Sequence, residues 1–420
     1  MRLGVIADDF TGATDIASFL VQNGMSTVQL NGVPAETRPL SADALVVSLK
    51  SRSCPPEMAI ADSLLALSWL QQQGCDRFYF KYCSTFDSTS EGNIGPVTDA
   101  LLKALGESQT VISPALPVNG RTVYQGHLFV MDRLLCDSGM RHHPVTPMTD
   151  SSLIRLMEGQ ASGKAGSIGF QTIERGATAV RAALKEQAKQ GINYVVLDAL
   201  HEQHLLIQGE ALKDMRLVTG GSGLAIGLAR QWAKAGQEGD VTQAAGAPQG
   251  QYAVVLSGSC SEMTQRQVDR YCQQAAAQSI DVERALYQHE CYVHELCDWV
   301  AQHEQDALAP LLYATAAPDR LQSVQQRHGA QCSSDAVERL FAAVACELQR
   351  RGWQRFIVAG GETSGVVAQA LGIDAFHIGP AISPGVPWVR AVQQPISLAL
   401  KSGNFGDEDF FARAQREFSV

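Results

Sequence analysis

The sequence predicts an α/β protein of two domains, each a mostly parallel sheet flanked by helices, with the active site in the interdomain cleft. Three observations predict this class. Short, nearly continuous apolar runs recur and end in Gly, Asp or Ser, as strands buried on both faces of a parallel sheet do. Segments between them repeat apolar residues at helical spacing. Residues 235–251 (AGQEGDVTQAAGAPQGQ) are small and polar, the composition of a linker, although a long surface loop would read the same way.

The elements follow in chain order. Leu3–Ala7 is the first strand, and Ala13, Ile16, Ala17, Leu20 and Val21 then form one helical stripe that Gly24 can stop. Further strands are expected at 44–49, 78–81, 110–113 and 194–197. Val180, Ala183, Leu184 and Ala188 mark a helix before the last of these. These elements make a domain over residues 1–234. After the linker, strands are expected at 253–256, 356–359 and 396–400. A helix runs through Val337, Leu340, Phe341, Val344 and Leu348, in a domain over 252–420. Strands alternating with helices in both halves argue for the α/β class.

Composition limits the partners. The chain has 420 residues with 33 basic and 43 acidic side chains, a net charge of -10. A polyanion binder would carry the opposite balance, so nucleic acid and anionic membrane surfaces are poor candidates. The first apolar run stops at Asp8, too soon for a secretory signal, and no apolar stretch reaches membrane-spanning length. Ten cysteines are scattered with no C-x-x-C pair, which reads as free thiols in the cytoplasm.

Three strand ends in the first half carry clustered polar groups. Asp8-Asp9-Phe10-Thr11-Gly12-Ala13-Thr14-Asp15 lies where the first strand ends and the first helix begins; two adjacent carboxylates there need a cation or hydroxyl donors between them. Thr11 can cap the following helix and Gly12 can admit a ligand to its amides, unless the pair is merely solvated. Residues 81–96, KYCSTFDSTSEGNIGP, offer Lys81 to an anion and Asp87 as acceptor of an alcohol proton, against the plainer reading of a Ser/Thr-rich loop. Lys50 and Arg52 in SLKSRS could hold a carboxylate or could be surface cations.

Three strand ends in the second half are small and glycine-rich: Ser257–Ser261 (SGSCS), Gly360–Gly365 (GGETSG) and Ser402–Gly406 (SGNFG). Such ends can aim backbone N–H groups at phosphates. None is a Walker loop, and no G-x-G-x-x-G follows the first strand, which counts against a dinucleotide-dependent dehydrogenase. Thr219–Gly223 (TGGSG) reads as a turn or interdomain contact. The His201–His204 pair has i, i+3 spacing and reads as a helix start rather than a metal motif, and no residue is assigned to a resident metal. His142-His143-Pro144 reads as a helix end. Cys291 and Cys297, with His289 and His294, read as core or surface residues, and Pro380, Pro384 and Pro387 around Trp388 as a rigid loop.

These segments resemble the four-carbon acid sugar kinase family almost end to end, most closely its 3-oxo-tetronate branch. The resemblance rests on IADDFTGATD, KYCSTFDSTSEGNIGP, RTVYQGHLFV, HPVTPMTDS, SGSCS, AGGETSGVV, IGPAISPGVPW and LKSGNFG. D-threonate and D-erythronate kinases tend to carry a DSTLRGN-type segment where this chain has DSTSEGN. The resemblance implies a sugar-acid domain at 1–234 and a nucleotide domain at 252–420 that uses ATP with Mg²⁺. It implies transfer of the γ-phosphate to the 4-hydroxyl of 3-dehydrotetronate. ATP contacts carry over to Ser257, Gly360, Gly361, Glu362, Thr363 and Gly403, with Ser259 as a neighbour.

The residues fit that reaction. Asp8, Asp9 and Asp87 are candidate proton acceptors, and Lys50, Arg52 and Lys81 are candidate cations for the substrate carboxylate. The remaining alternatives are a D-threonate or D-erythronate kinase and a sugar-acid binder without catalysis. The partners expected are the small sugar acid and ATP, with no nucleic acid and no membrane. The oligomeric state is open, a homodimer being the commonest outcome for soluble enzymes.

Overall fold

A computed structural model describes residues 1–34, 40–142, 146–233, 243–315 and 330–418. The chain divides into Met1–Thr242 and Gln243–Val420. Of the segment 235–251, residues 235–242 lie outside the described residues; a short 3-10 turn follows at Ala244–Gly246.

The first unit runs β1 (Leu3–Ala7), α1 (Phe10–Gln22), β2 (Thr27–Asn31), β3 (Ala44–Ser48), α2 (Pro56–Gln72), β4 (Arg77–Lys81), α3 (Ile94–Leu105) and β5 (Thr110–Ser113). It continues with β6 (Arg121–Tyr124), β7 (His127–Val130), β8 (Arg133–Leu134), α4 (Leu153–Gln160), β9 (Lys164–Ile168), α5 (Phe170–Ile173) and α6 (Ala177–Lys189). It closes with β10 (Ile192–Leu197), α7 (Glu202–Leu212), β11 (Leu217–Gly220) and α8 (Gly223–Trp232). The main sheet has the order β2-β3-β1-β4-β11-β5-β10-β9, and every pairing in it is parallel. All five residues of β1 are buried, as its apolar run demands.

Register decides where function can sit. Ala7 pairs with Ser48 on one side and Lys81 on the other, and Lys81 pairs with Gly220. Four strands therefore end level, and the loops after them leave from one edge. Ligands in open α/β sheets bind at that edge.

Several elements differ from the sequence expectation. β2, β9 and β11 are strands that the apolar runs did not mark. β2 has a buried Gln29 at its centre, which breaks the run. Residues 121–134 form a separate antiparallel sheet, β6-β7-β8. Its first turn is held by the fully buried Asp198, whose carboxylate accepts Gln125 N–H at 2.8 Å, Gly126 N–H at 2.9 Å and Phe170 N–H at 3.1 Å.

The second unit runs β12 (Ala253–Ser257), α9 (Glu262–Tyr271), β13 (Ala277–Ser279), α10 (Val282–Tyr287), α11 (His289–Gln302), β14 (Leu311–Tyr313) and α12 (Ala330–Arg350). It ends with β15 (Arg355–Ala359), α13 (Gly361–Ala370), β16 (Ala375–Ser383), β17 (Val386–Ala391), β18 (Ser397–Lys401) and α14 (Phe410–Arg416). β13, β14, β12, β15 and β18 are parallel, and β17 and β16 complete the sheet antiparallel. Ser257, Ala359 and Lys401 lie level at the strand ends.

The prolines around Trp388 form a hairpin rather than an irregular loop. Pro380 sits in β16 where the register shifts, so no ladder donor is lost there, and Pro387 sits in β17 opposite Ala381. Trp388 is fully buried and donates its indole N–H to Ala414 O at 3.0 Å, which joins the hairpin to α14.

The tightest helix packing in the first unit is α7 on α8. A Cβ on Gly227 would stand 2.0 Å from Leu205 O, and one on Gly209 would stand 2.1 Å from the Gly227 carbonyl carbon. Backbone meets backbone there, so neither side can yield by a rotamer change. Gly227→Ala should destabilise the first unit by about 2 kcal/mol, which calorimetry reads as a Tm lower by about 4–8 °C. An unchanged transition would contradict this packing.

Candidate functional site

The edge of the first unit gathers one guanidinium and three carboxylates. Arg52 donates Nε–H to Asp8 Oδ2 at 2.9 Å and Nη2–H to Asp8 Oδ1 at 2.8 Å, a two-point fork. Nη2 also lies 2.8 Å from Asp9 Oδ1, and Nη1 lies 4.0 Å from Asp87 Oδ2. The loop that carries Arg52 is tied down at both ends. Ser51 N–H donates to Asp8 O at 3.0 Å, and the buried Asn93 donates to Ser51 O at 2.7 Å and Cys54 O at 2.8 Å. Burial pushes the Asp8 carboxyl above its ordinary value, and the Arg52 charge opposes that shift. Burial also works against the Arg52 charge, but Asp8 and Asp9 outweigh it and hold the guanidinium well above its ordinary value.

Asp9 is the N-cap of α1: its Oδ1 accepts Gly12 N–H at 2.8 Å, so the cap expected of Thr11 belongs to Asp9. Its extended backbone, at φ -148°, makes this possible. The space that Gly12 leaves is taken by its neighbours. A Cβ there would meet Asp9 Oδ1 at 2.3 Å and Lys81 Nζ at 2.9 Å. Lys81 is buried and donates to Tyr82 O at 2.8 Å. Its ammonium lies among carboxylates: Asp9 shares the space beside Gly12, and Asp8 and Asp15 both feel the Lys81 charge.

Two residues of this edge lie in stretches that stood out in the sequence but were given no role there. Asp15, one turn into α1, accepts a short hydrogen bond from Ser222 after β11. Burial raises its carboxyl pKa, opposed by Lys81 and by the Ser222 hydroxyl. Ser222 belongs to the TGGSG stretch, so that stretch serves this site as well as forming a turn. Asp87 keeps Oδ1 on the Thr85 hydroxyl at 2.6 Å. Lys50 is exposed and makes no ion pair among the described residues, so the structure does not bring it to the cluster.

The edge of the second unit is built from glycines and hydroxyls. Gly360 has φ +122° and precedes α13, leaving the Gly361, Glu362 and Thr363 amides to open that helix. Gly361 and Glu362 are exposed, while Thr363 is buried. Gly258 N–H and Ser259 N–H both donate to Ala359 O, at 2.9 and 3.2 Å, which draws the two strand ends together. The Ser257 hydroxyl is fully buried against Thr315 at 2.8 Å, and Thr315 donates to Ser259 O at 2.7 Å. Ser261 caps α9 and Ser259 donates to it at 3.2 Å. Thr264 donates to Gly403 O at 2.7 Å.

The His pair lies elsewhere. Glu202 opens α7 directly after His201. Glu174, His201 and His204 bring ligand atoms within 4.8 Å of one another. Leu200 N–H donates to His204 Nδ1 at 3.2 Å, however, so the ring proton sits on Nε2, which is 3.8 Å from Glu174. That tautomer turns a donor, not a lone pair, toward the cluster. Cys297 is buried and Cys291 exposed on α11, so they do not converge. His143 and Pro144 lie outside the described residues. No helix among the described residues is long and apolar enough to cross a membrane.

Comparison with known proteins gives two domain families. The sugar-binding N-terminal domain matches residues 3–228 and the nucleotide-binding C-terminal domain matches residues 254–411. The 3-oxo-tetronate kinase of Pectobacterium atrosepticum is 67% identical over 423 residues, covering 100% of both chains. The Escherichia coli protein of that name is 61% identical over 386 residues, 91% of this chain and 99% of its own. A solved Salmonella typhimurium protein, under a provisional tRNA-synthase label, superposes with a TM-score of 0.94 at 62% identity over 100% of each chain. A solved Haemophilus influenzae protein gives a TM-score of 0.88 at 52% identity, covering 99% of this chain and 100% of its own.

The Arg52 fork is open to direct test. Arg52→Met leaves Asp8 buried without its hydrogen-bonded counter-charge, with only the Lys81 charge still acting on it, and should destabilise the first unit by about 3 kcal/mol. Arg52→Lys keeps the charge but not the fork and should recover part of that loss. Equal denaturant midpoints for Met and wild type would contradict the pairing.

Proposed function

We infer the activity from one premise: this chain belongs to the four-carbon acid sugar kinase family. Its reaction is transfer of the γ-phosphate of Mg-ATP to the 4-hydroxyl of 3-oxo-tetronate, giving 3-dehydrotetronate 4-phosphate. The observation that carries this reading is the 67% identity, end to end, with a 3-oxo-tetronate kinase. The ten cysteines are all free, in keeping with a cytoplasmic enzyme.

The residues support the chemistry in separate roles. Phosphoryl transfer asks the protein for positioning and charge neutralisation. Lys81, beside the α1 amides, suits the substrate carboxylate better than Arg52, whose guanidinium is committed to Asp8 and Asp9. Asp8 has both oxygens in the fork and is a poor proton acceptor. Asp9 spends one oxygen on the helix cap and Arg52. Asp87 holds Thr85 through Oδ1 and keeps Oδ2 free of hydrogen bonds, so it is the proposed acceptor of the 4-hydroxyl proton. The ketone beside that carbon withdraws electrons and eases the proton's loss. For the nucleotide, the Gly361–Thr363 amides and the Ser259 and Gly403 turns are the proposed phosphate contacts, and Ser257 acts through Thr315.

Two measurements test this reading. Folded protein with Mg-ATP and 3-dehydrotetronate should release ADP, and more slowly with D-threonate or D-erythronate. ADP at background level with the keto acid overturns the assignment. Asp87→Asn should lower kcat by about 10²-fold or more. Asp9→Asn should leave the cap of α1 in place, because Asn also caps, and should change kcat less than Asp87→Asn. A kcat near wild type in Asp87→Asn removes it as the base.

A further inference from the structure

β18 ends in a lysine that the sequence reading left inside a motif. Lys401 is fully buried, and its ammonium donates to Thr264 Oγ1 at 3.0 Å, Ser402 O at 3.0 Å and Gly403 O at 2.9 Å. An ammonium has three hydrogens, and here all three are used. Its acceptors are all neutral, and it makes no ion pair among the described residues. The charged groups on the surrounding elements are engaged elsewhere or exposed. Glu262 pairs with Arg266 on α9, Asp409 with Arg270, and Asp407 with Arg413 on α14, while Glu362 on α13 is exposed. The remaining neighbour is the Phe410 ring, 5.9 Å from Nζ.

A buried, uncompensated positive charge is costly unless something negative arrives. The same lysine is joined to the glycine-rich edge on both sides. Its carbonyl accepts Gly360 N–H at 2.9 Å, directly before the α13 amides, and its ammonium holds the Gly403 carbonyl. We propose that Lys401 is a positioning residue of the nucleotide site. Its ammonium fixes the Ser402–Gly403 turn against Thr264 and supplies the positive potential that a polyphosphate at this edge neutralises.

This inference rests on the kinase reading of the second unit. It differs from the phosphate contacts already named, because all three donors of Lys401 face protein. Loss of its proton leaves two donors for three acceptors and removes the charge together. Burial lowers the Lys401 pKa to about 7, so that loss falls within the working range of an enzyme. The sign follows: the ammonium is present below that value and is lost as pH rises through it. Linkage is reciprocal, so a phosphate that favours the ammonium is itself favoured by it.

The test uses the full-length enzyme, Lys401→Met and Lys401→Arg, with kcat and both KM values measured from about pH 6 to 9 and ATP binding followed by calorimetry. Lys401→Met should raise KM for ATP by about tenfold or more, while KM for the sugar acid stays within about twofold. Wild-type kcat/KM for ATP should fall as pH rises through about 7, and Lys401→Arg should restore affinity and flatten that fall. A folded Lys401→Met with wild-type KM for ATP overturns the proposal. If Lys401→Met does not fold, Thr264→Val decides. It keeps the charge but cuts the bridge to Gly403, and an unchanged KM for ATP again overturns the proposal. The two readings fail separately. ATP binding weakened in Lys401→Met without turnover of the keto acid leaves the lysine standing and removes the substrate. Normal turnover with unaltered ATP affinity does the reverse.

Discussion

Parallel pairing in register is the constraint on which both units depend. A parallel strand cannot turn back on itself, so each returns through a crossover and sends its carboxyl end to the same edge. Ala7, Ser48, Lys81 and Gly220 are level because of that, and so are Ser257, Ala359 and Lys401. Residues far apart in sequence then meet without long loops. Asp8 and Arg52 are 44 positions apart and Asp15 and Ser222 are 207 apart, yet each pair joins through its side chains. A shift of one residue between β1 and β3 would turn these side chains to the opposite face and dissolve the cluster.

The two edges handle buried charge in opposite ways. In the first unit cations and carboxylates share one cluster: Arg52 serves Asp8 and Asp9, the Ser222 hydroxyl serves Asp15, and the Lys81 charge acts on Asp8 and Asp15. Such a cluster is stiff, because removing any member leaves another uncompensated. In the second unit Lys401 has carbonyls and a hydroxyl, but no anion. Its folded pKa of about 7 lies below the ordinary 10.5. The folded state therefore binds fewer protons than the unfolded chain between those values. Stability rises with pH across that window, and at pH 7 and below the whole cost of the buried charge is present. A phosphate-bearing ligand at this edge would offset that cost, as the proposed role of Lys401 requires.

The fold was largely legible because its signals are local. β1, β3, β4, β10, β12 and β15 are continuous apolar runs, and α1 shows its stripe in five residues. Elements whose burial depends on partners were not legible. β2 hides Gln29 in its centre, β13 is only Ala277–Ser279, and β16 and β17 carry prolines that read as a loop until the register shift at Pro380 is seen. The same divide runs through the site. Asp8, Asp9, Asp87 and Lys81 stood out as polar groups at strand ends. The fork that joins Arg52 to Asp8, the Asp15–Ser222 bond and the burial of Lys401 are long-range facts. No spacing rule contains them. Asp198, which fixes the β6–β7 turn, follows the strand expected at 194–197 and carried no signal of its own.

Net charge and local charge are separate quantities in this molecule. The chain is at -10, and both substrates of the family's reaction are anions. Surface charge acts through water and is screened over about 8 Å at physiological ionic strength, whereas groups beneath the surface are screened much less. Lys81 is buried beside the α1 amides and Lys401 beside the turn that leads to α13. Each edge can therefore set a local potential that differs from the net charge. In the proposed reading, anion affinity rests on a few buried groups whose geometry is fixed by the fold. Exposed charges such as Lys50 act on those groups through screening solvent, while a change to one buried partner alters the charge of the whole site.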